Sequence, residues 1–103
     1  MKVYGYCRIS TSKQSMERQI RNIKLAYPDA VIVKETYTGT IIQGRKEFEK
    51  LLKIVSTDDT LVFDSVSRMS RTAQEGYEMY QKLYNQGVSL VFLKEPHIPI
   101  FAV

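Results

Sequence analysis

Short apolar runs alternate with amphipathic segments along this chain of 103 residues, and this alternation limits the folds it can adopt. Apolar runs rich in Val, Ile, Tyr and Phe are typical of strands, whereas apolar residues at helical spacing are typical of helices. The pattern predicts strands at residues 2–8, 30–37, 60–64 and 88–93. It predicts a helix that follows a capping box at 11–14 and ends near residue 26, and further helices at about 45–56 and 72–86.

This order of elements predicts an α/β fold. Because the strands are almost continuously apolar, we expect a three-layer sandwich, in which helices flank a mostly parallel sheet of four or five strands. The fifth strand would come from the apolar residues 97–103, which could equally be the stub of a longer chain. A chain of 103 residues has room for one hydrophobic core, so we expect a single domain over residues 1–103.

The composition excludes several classes of protein. One cysteine rules out an internal disulfide, and one histidine leaves no plausible cluster of zinc ligands, so no metal site is expected. No apolar run approaches the roughly 20 residues that span a bilayer, and no signal-peptide pattern is present. A cytoplasmic protein without a membrane partner is therefore expected. The formal net charge of +4 fits a polyanionic partner, although many small basic domains bind none.

Residues suited to phosphate chemistry follow the first and third predicted strands. Arg8 and Ser10 close the first strand just before a predicted helix, and Arg68 and Arg71 follow the third strand. Ligands of open α/β sheets bind beyond the carboxyl ends of the strands, so both groups would face one cleft if these strands are neighbours. A hydroxyl, guanidinium groups and a helix dipole that converge there would bind a phosphate. The combination suggests attack by serine on a phosphodiester.

Taken one at a time, these residues have ordinary structural explanations. Ser10 could be a turn or helix-capping residue, and the arginine pair Arg68 and Arg71 could lie on a solvated helix face. Gln14 fits the capping box at least as well as a site. Arg45 stands at a predicted helix start, where a surface role is nearly as plausible. The combination and order of these residues therefore carry the argument.

Four segments of the chain resemble the motifs of serine site-specific recombinases, the resolvase and invertase family. They are a nucleophile motif at 6–11, a helix segment at 17–20, a loop with Gly39 followed by Arg45, and a second arginine motif at 66–71. The resemblance extends to about residue 95. Four motifs in the right order are far more specific than any one of them. The resemblance implies a resolvase-like fold and the catalytic domain of a recombinase carried by a mobile element.

The resemblance also implies a mechanism. Such enzymes cleave and rejoin DNA through a 5′-phosphoserine intermediate and exchange strands within a homotetramer assembled from dimers, without metal or cofactor. Ser10 would be the nucleophile. Four arginines would bind the phosphate and stabilise its transition-state charge: Arg8, Arg45, Arg68 and Arg71. Two glutamines would contact DNA or hold the arginines: Gln14 and Gln19.

Two departures from the family pattern leave alternatives open. The family often has an acidic residue where this chain has Ser67, and Asp64 does not obviously replace it. Relatives also continue into a dimerisation helix and a DNA-binding module that this sequence lacks, so we expect a weakly associated or monomeric fragment with little activity alone. One alternative is a non-catalytic or truncated relative that helps to assemble DNA complexes. Another is a small serine-dependent phosphoesterase that releases its product by hydrolysis.

Overall fold

A computed structural model describes residues 2–9, 14–36, 46–65, 69 and 73–95. The strands are β1 (Val3–Ile9), β2 (Val31–Thr36), β3 (Thr60–Phe63) and β4 (Ser89–Phe92). The helices are α1 (Gln14–Ala26), α2 (Lys46–Ile54) and α3 (Ala73–Asn85). Observed and predicted boundaries differ by at most two residues, apart from the start of α1, whose capping residues 11–13 lie outside the described residues. The predicted alternation of strands and helices is confirmed.

The four strands form one parallel sheet in the order β2-β1-β3-β4. Strands β1 and β3, whose adjacency would bring the two groups of site residues to one cleft, are neighbours and pair from Val3 opposite Thr60 to Tyr6 opposite Phe63. Phe63 is the last residue of β3, whereas β1 continues to Ile9 beside β2. The central strand therefore extends past its neighbour at the carboxyl edge of the sheet. The possible fifth strand at 97–103 lies outside the described residues.

Helices cover both faces of the sheet, and each face has its own apolar cluster. On one face, α2 and α3 pack over aromatic rings whose neighbouring centroids lie 4.8–6.3 Å apart, in Tyr6, Phe48, Phe63 and Phe92. On the other face, α1 packs over a cluster that includes Cys7 and Val62. The expected three-layer α/β sandwich is therefore confirmed. The apolar stripe of each helix is buried against one face of the sheet.

A glycine in β1 lets α1 lie close to the sheet. A Cβ atom at Gly5 would stand 2.7 Å from Cγ2 of Ile23, which is fully buried on α1. Any side chain at Gly5 would therefore push the helix away from the central strand.

The amino-terminal ends of β1 and β3 are joined by the buried carboxylate of Asp59. One carboxylate oxygen accepts hydrogen bonds from the backbone N–H of Ser56 at 3.0 Å and from its hydroxyl at 3.3 Å. The other accepts the backbone N–H of Lys2 at 3.0 Å. These bonds, the Ser56 backbone N–H first and the Lys2 N–H second, hold the pKa of Asp59 below its usual value. Asp59 stands at the end of β3 opposite to the predicted site.

We expect Asp59 to contribute to acid unfolding. A carboxyl group with a lowered pKa in the folded chain stabilises the fold above its unfolded pKa, near 3.8, and this contribution disappears as the pH falls through the folded pKa. Asp59→Asn should therefore lower stability at neutral pH and reduce the pH dependence of stability below about pH 5. Urea unfolding at a series of pH values measures both effects. Parallel pH profiles for the two proteins would contradict this role.

Candidate functional site

Two of the predicted site residues have described side chains, Arg8 and Gln19. Arg8 is the penultimate residue of β1 and is half-buried, and Gln19 lies in α1. Gln14 is the first residue of α1. The other predicted residues lie outside the described part of the chain: Ser10, Arg45, Arg68 and Arg71. The described site is therefore the framework from which those residues extend.

The carboxamide of Gln19 binds the backbone of Arg8 where β1 extends past β3. Its Nε2 donates to the Arg8 carbonyl at 3.0 Å, and its Oε1 accepts the Arg8 N–H at 3.1 Å. The Lys2 carbonyl, just before β1, accepts the N–H of Thr60 and therefore points toward β3. Backbone groups of every second strand residue point to the same side, so the N–H and carbonyl of Arg8 also point toward β3. Because β3 ends at Phe63, the Gln19 amide takes the place of the next strand residue in the ladder.

This contact bears on the two roles expected for Gln19. The side chain is only 1% exposed, and both polar atoms of its amide bond to the Arg8 backbone. Buried polar groups are normally satisfied by partners inside the protein, as here. The contact therefore favours a residue that holds an arginine over one that contacts DNA directly.

A buried carboxylate that the sequence did not single out holds the start of α2. Glu35, in β2, is 3% exposed. Its Oε1 accepts the Tyr6 hydroxyl at 2.8 Å and the Phe48 N–H at 3.0 Å, and its Oε2 accepts the Glu47 N–H at 3.1 Å. The first N–H groups of a helix have no partner within the helix, and a carboxylate complements the helix dipole there. Glu35 thereby fixes the helix end that directly follows Arg45.

A second buried carboxylate stands at the carboxyl end of β3. One oxygen of Asp64 accepts Nδ2 of Asn22 at 3.0 Å, and the other lies 3.4 Å from Nζ of Lys94. The Asp64 backbone carbonyl also accepts the Lys94 N–H at 3.0 Å. With the side chain 2% exposed and both oxygens engaged, Asp64 is poorly placed to serve as the acid that the family often has at the position of Ser67.

Two grooves between described residues lie away from this edge. One of about 530 Å³ is lined by Tyr80, Tyr84 and Ser89, and another of about 320 Å³ by Leu52 and Lys82. The first borders the start of β4, and the second lies between α2 and α3. Within the described ranges, no helix is long and apolar enough to cross a membrane. The same ranges hold no cluster of three His, Cys, Asp or Glu side chains suited to a metal ion.

Comparison with known proteins assigns the chain to a family. Residues 3–100 match the family model described as "Resolvase, N terminal domain". The chain is 32% identical over 93 residues to the transposon Tn21 resolvase of Escherichia coli, and 33% identical over 93 residues to the transposon Tn501 resolvase of Pseudomonas aeruginosa. Each match covers 88% of this chain and 46% of the relative, so the chain spans about half the length of the curated relatives it matches.

Solved structures share this α/β architecture. A resolvase family site-specific recombinase from Streptococcus pneumoniae superposes with a TM-score of 0.69 at 29% identity, covering 93% of this chain and 74% of that one. The N-terminal catalytic domain of TP901-1 integrase shares the fold with a TM-score of 0.73 at 19% identity, covering 93% and 79%. The fold and the matched residues define a recombinase-type α/β domain. This chain belongs to the resolvase family, as the motifs in its sequence predict.

We expect Gln19→Leu to lower the free energy of unfolding by about 1–3 kcal/mol, because it removes two buried hydrogen bonds to the Arg8 backbone. Equilibrium urea unfolding measures the change. Gln81→Leu is the matched control, since the Gln81 amide bonds to the Tyr77 hydroxyl on an exposed helix surface. Its effect should stay within about 0.5 kcal/mol. Equally small changes in both variants would contradict the role of Gln19.

Proposed function

We propose that this chain is the catalytic domain, over residues 1–103, of a site-specific DNA recombinase that acts through a 5′-phosphoserine intermediate. Membership of the resolvase family supports the class of activity. The observation that carries the proposal is the anchoring of Arg8 by Gln19 at the carboxyl end of the central strand. Arg8 lies at the edge where open α/β sheets bind their ligands, and Ser10 follows it by two residues in the sequence.

Ser10 is the proposed nucleophile. Its hydroxyl oxygen forms a bond to a phosphorus of the DNA backbone, and the bond from that phosphorus to the 3′ oxygen breaks. The serine loses its proton, and the departing 3′ oxygen takes one up to become a hydroxyl group. One phosphodiester has then replaced another, so a 3′-hydroxyl can attack the phosphoserine and reseal the DNA without an external source of energy.

The arginines supply the positive charge that this reaction needs. Phosphoryl transfer depends mainly on positioning and on electrostatic stabilisation of the phosphate oxygens, and the planar guanidinium group suits both. The described framework supports three of them. Arg8 is held by Gln19, Arg45 directly precedes the helix end held by Glu35, and Arg68 directly precedes the fully buried Met69. The proposed set is Arg8, Arg45, Arg68 and Arg71.

The partners of the whole protein belong to the same proposal. The substrate is DNA, which the net charge of +4 would favour electrostatically. Gln14, at the start of α1, is proposed to contact it. The full-length form would act in the cytoplasm as a homodimer that assembles into a tetramer. A second candidate function is that of a non-catalytic relative that assembles DNA complexes. It is favoured by Ser67, which stands where the family often has an acidic residue.

A covalent-adduct assay tests this function. Residues 1–103 would be fused to the part of the Tn21 resolvase that the match leaves uncovered and incubated with nicked DNA carrying that resolvase's site. We expect a protein–DNA adduct that mass spectrometry assigns to Ser10. Ser10→Ala should abolish it, because no oxygen nucleophile remains at that position. Ser12→Ala, the matched control two residues along the chain, should retain it.

The assay separates the alternatives. A folded fusion that binds the site but forms no adduct would contradict the proposal and favour the non-catalytic relative. Ser10-dependent hydrolysis of a small aryl phosphate without a stable adduct would favour the phosphoesterase. An adduct that persists in Ser10→Ala would remove this serine from the mechanism.

A further inference from the structure

We propose that Asn22, Asp64 and Lys94 form a positioning cluster that sets the second arginine motif against the first. The cluster joins α1 to the segments that follow β3 and β4, through the contacts of the Asp64 carboxylate. This inference rests on the proposed function, because the motif that it positions, residues 66–71, holds two of the arginines proposed to bind the phosphate.

Helix α1 links the two motifs through side chains one turn apart. Gln19 binds the Arg8 backbone at the end of β1, and Asn22 binds Asp64 just after β3. Residues three apart lie on the same side of a helix, separated by about 4.5 Å along its axis. The close packing of Ile23 on Gly5 prevents the helix from lifting away from the sheet. One rigid element therefore fixes both strand ends relative to each other.

The second motif is anchored on both faces of the sheet. Asp64 bonds to α1 on one face, whereas Met69 is fully buried in the aromatic cluster on the other. The two anchors are five residues apart, so they can be separated by at most about 18 Å. Arg68 lies between the two anchors in the sequence, so loss of the Asp64 anchor would leave the segment that carries this arginine held at Met69 alone.

The charge of Asp64 explains why the cluster has three members. A buried carboxylate is costly unless hydrogen bonds and an opposite charge compensate it. Asn22 supplies the hydrogen bond to the carboxylate, and the Lys94 ammonium group supplies the opposite charge. The Lys94 backbone N–H adds a bond to the Asp64 backbone carbonyl, which joins the two segments. The Lys94 side chain is largely exposed, so its ion pair is weakened by solvent and the Asn22 contact carries most of the geometry.

The chain contains a matched control at the other end of the same strand. Asp59 is also a buried aspartate with both carboxylate oxygens bonded, to Ser56 and to the Lys2 backbone. It precedes β3, whereas Asp64 follows it. If Asp64 only stabilised the fold, substitution of either aspartate would change the rate of adduct formation equally for an equal loss of stability. If Asp64 positions the second arginine motif, its substitution should slow adduct formation and that of Asp59 should not.

The test compares Asp64→Ala, Asp64→Asn and Asp59→Ala in the fused recombinase described above. We expect Asp64→Ala to slow single-turnover adduct formation by about 10- to 100-fold, since misplaced groups at the reacting phosphate lose rate steeply, while the fused DNA-binding part keeps the affinity for the whole site nearly unchanged. Asp64→Asn should recover most of the rate, because its amide oxygen still accepts the Asn22 bond. Asp59→Ala should lower the unfolding midpoint while changing the rate less than about twofold.

An activity-independent titration completes the test. The unfused chain, labelled at arginine Nε, would be titrated with inorganic phosphate and followed by NMR. We expect the Arg8 and Arg68 signals to shift together in the wild type and in Asp59→Ala. In Asp64→Ala, the phosphate concentration at which the Arg68 signal shifts half-way should rise about tenfold, as expected for loss of one charge-assisted contact.

These outcomes distinguish the two proposals. Failure of the wild-type fusion to form an adduct would overturn the proposed function, and the titration would still decide the positioning cluster. Equal rates in Asp64→Ala and the wild type, or equal losses in Asp64→Ala and Asp59→Ala, would overturn the cluster. Identical phosphate titrations for wild type and Asp64→Ala would overturn it as well.

Discussion

The site depends on a central strand that extends past its neighbour and on the amide that completes its hydrogen bonding. A strand end without ladder partners would leave buried backbone groups unsatisfied, at a cost comparable to that of the lost bonds. Gln19 supplies those bonds to Arg8 from the helix above. The end of β1 can therefore extend past β3, beside β2, and remain fixed. Because β3 ends at Phe63, the side of β1 near Arg8 has no neighbouring strand within the described residues, and Gln19 of α1 holds the backbone there.

Three buried carboxylates organise the rest of the framework, each through polar contacts with two segments of the chain. Asp59 closes the amino-terminal side of the sheet, where no predicted site residue lies. Glu35 and Asp64 act near the opposite edge, on α2 and on the segment after β3. A buried charge holds its surroundings only when several polar groups converge on it. That requirement links the stability of the fold to the arrangement of the site.

The sequence predicts the architecture better than the framework of the site. Strand and helix periods depend on neighbouring residues, so the buried stripe through Met16 and Ile23 could be found from spacing alone. The contacts of Glu35 and Asp64 join residues 13 and 42 positions apart, and no local pattern marks them. The strand period does place Glu35 on the face of Val33, and an acid on that apolar face is the available signal for a buried carboxylate.

The central claim is that residues of both arginine motifs meet Ser10 at one phosphate. A crystal structure of the chain with orthovanadate, which mimics the phosphoryl group, tests it most directly. We expect one vanadate within about 3 Å of the Ser10 oxygen and of guanidinium nitrogens of both Arg8 and Arg68. Vanadate bound elsewhere, with Ser10 and Arg68 too far apart to share one anion, would contradict the account.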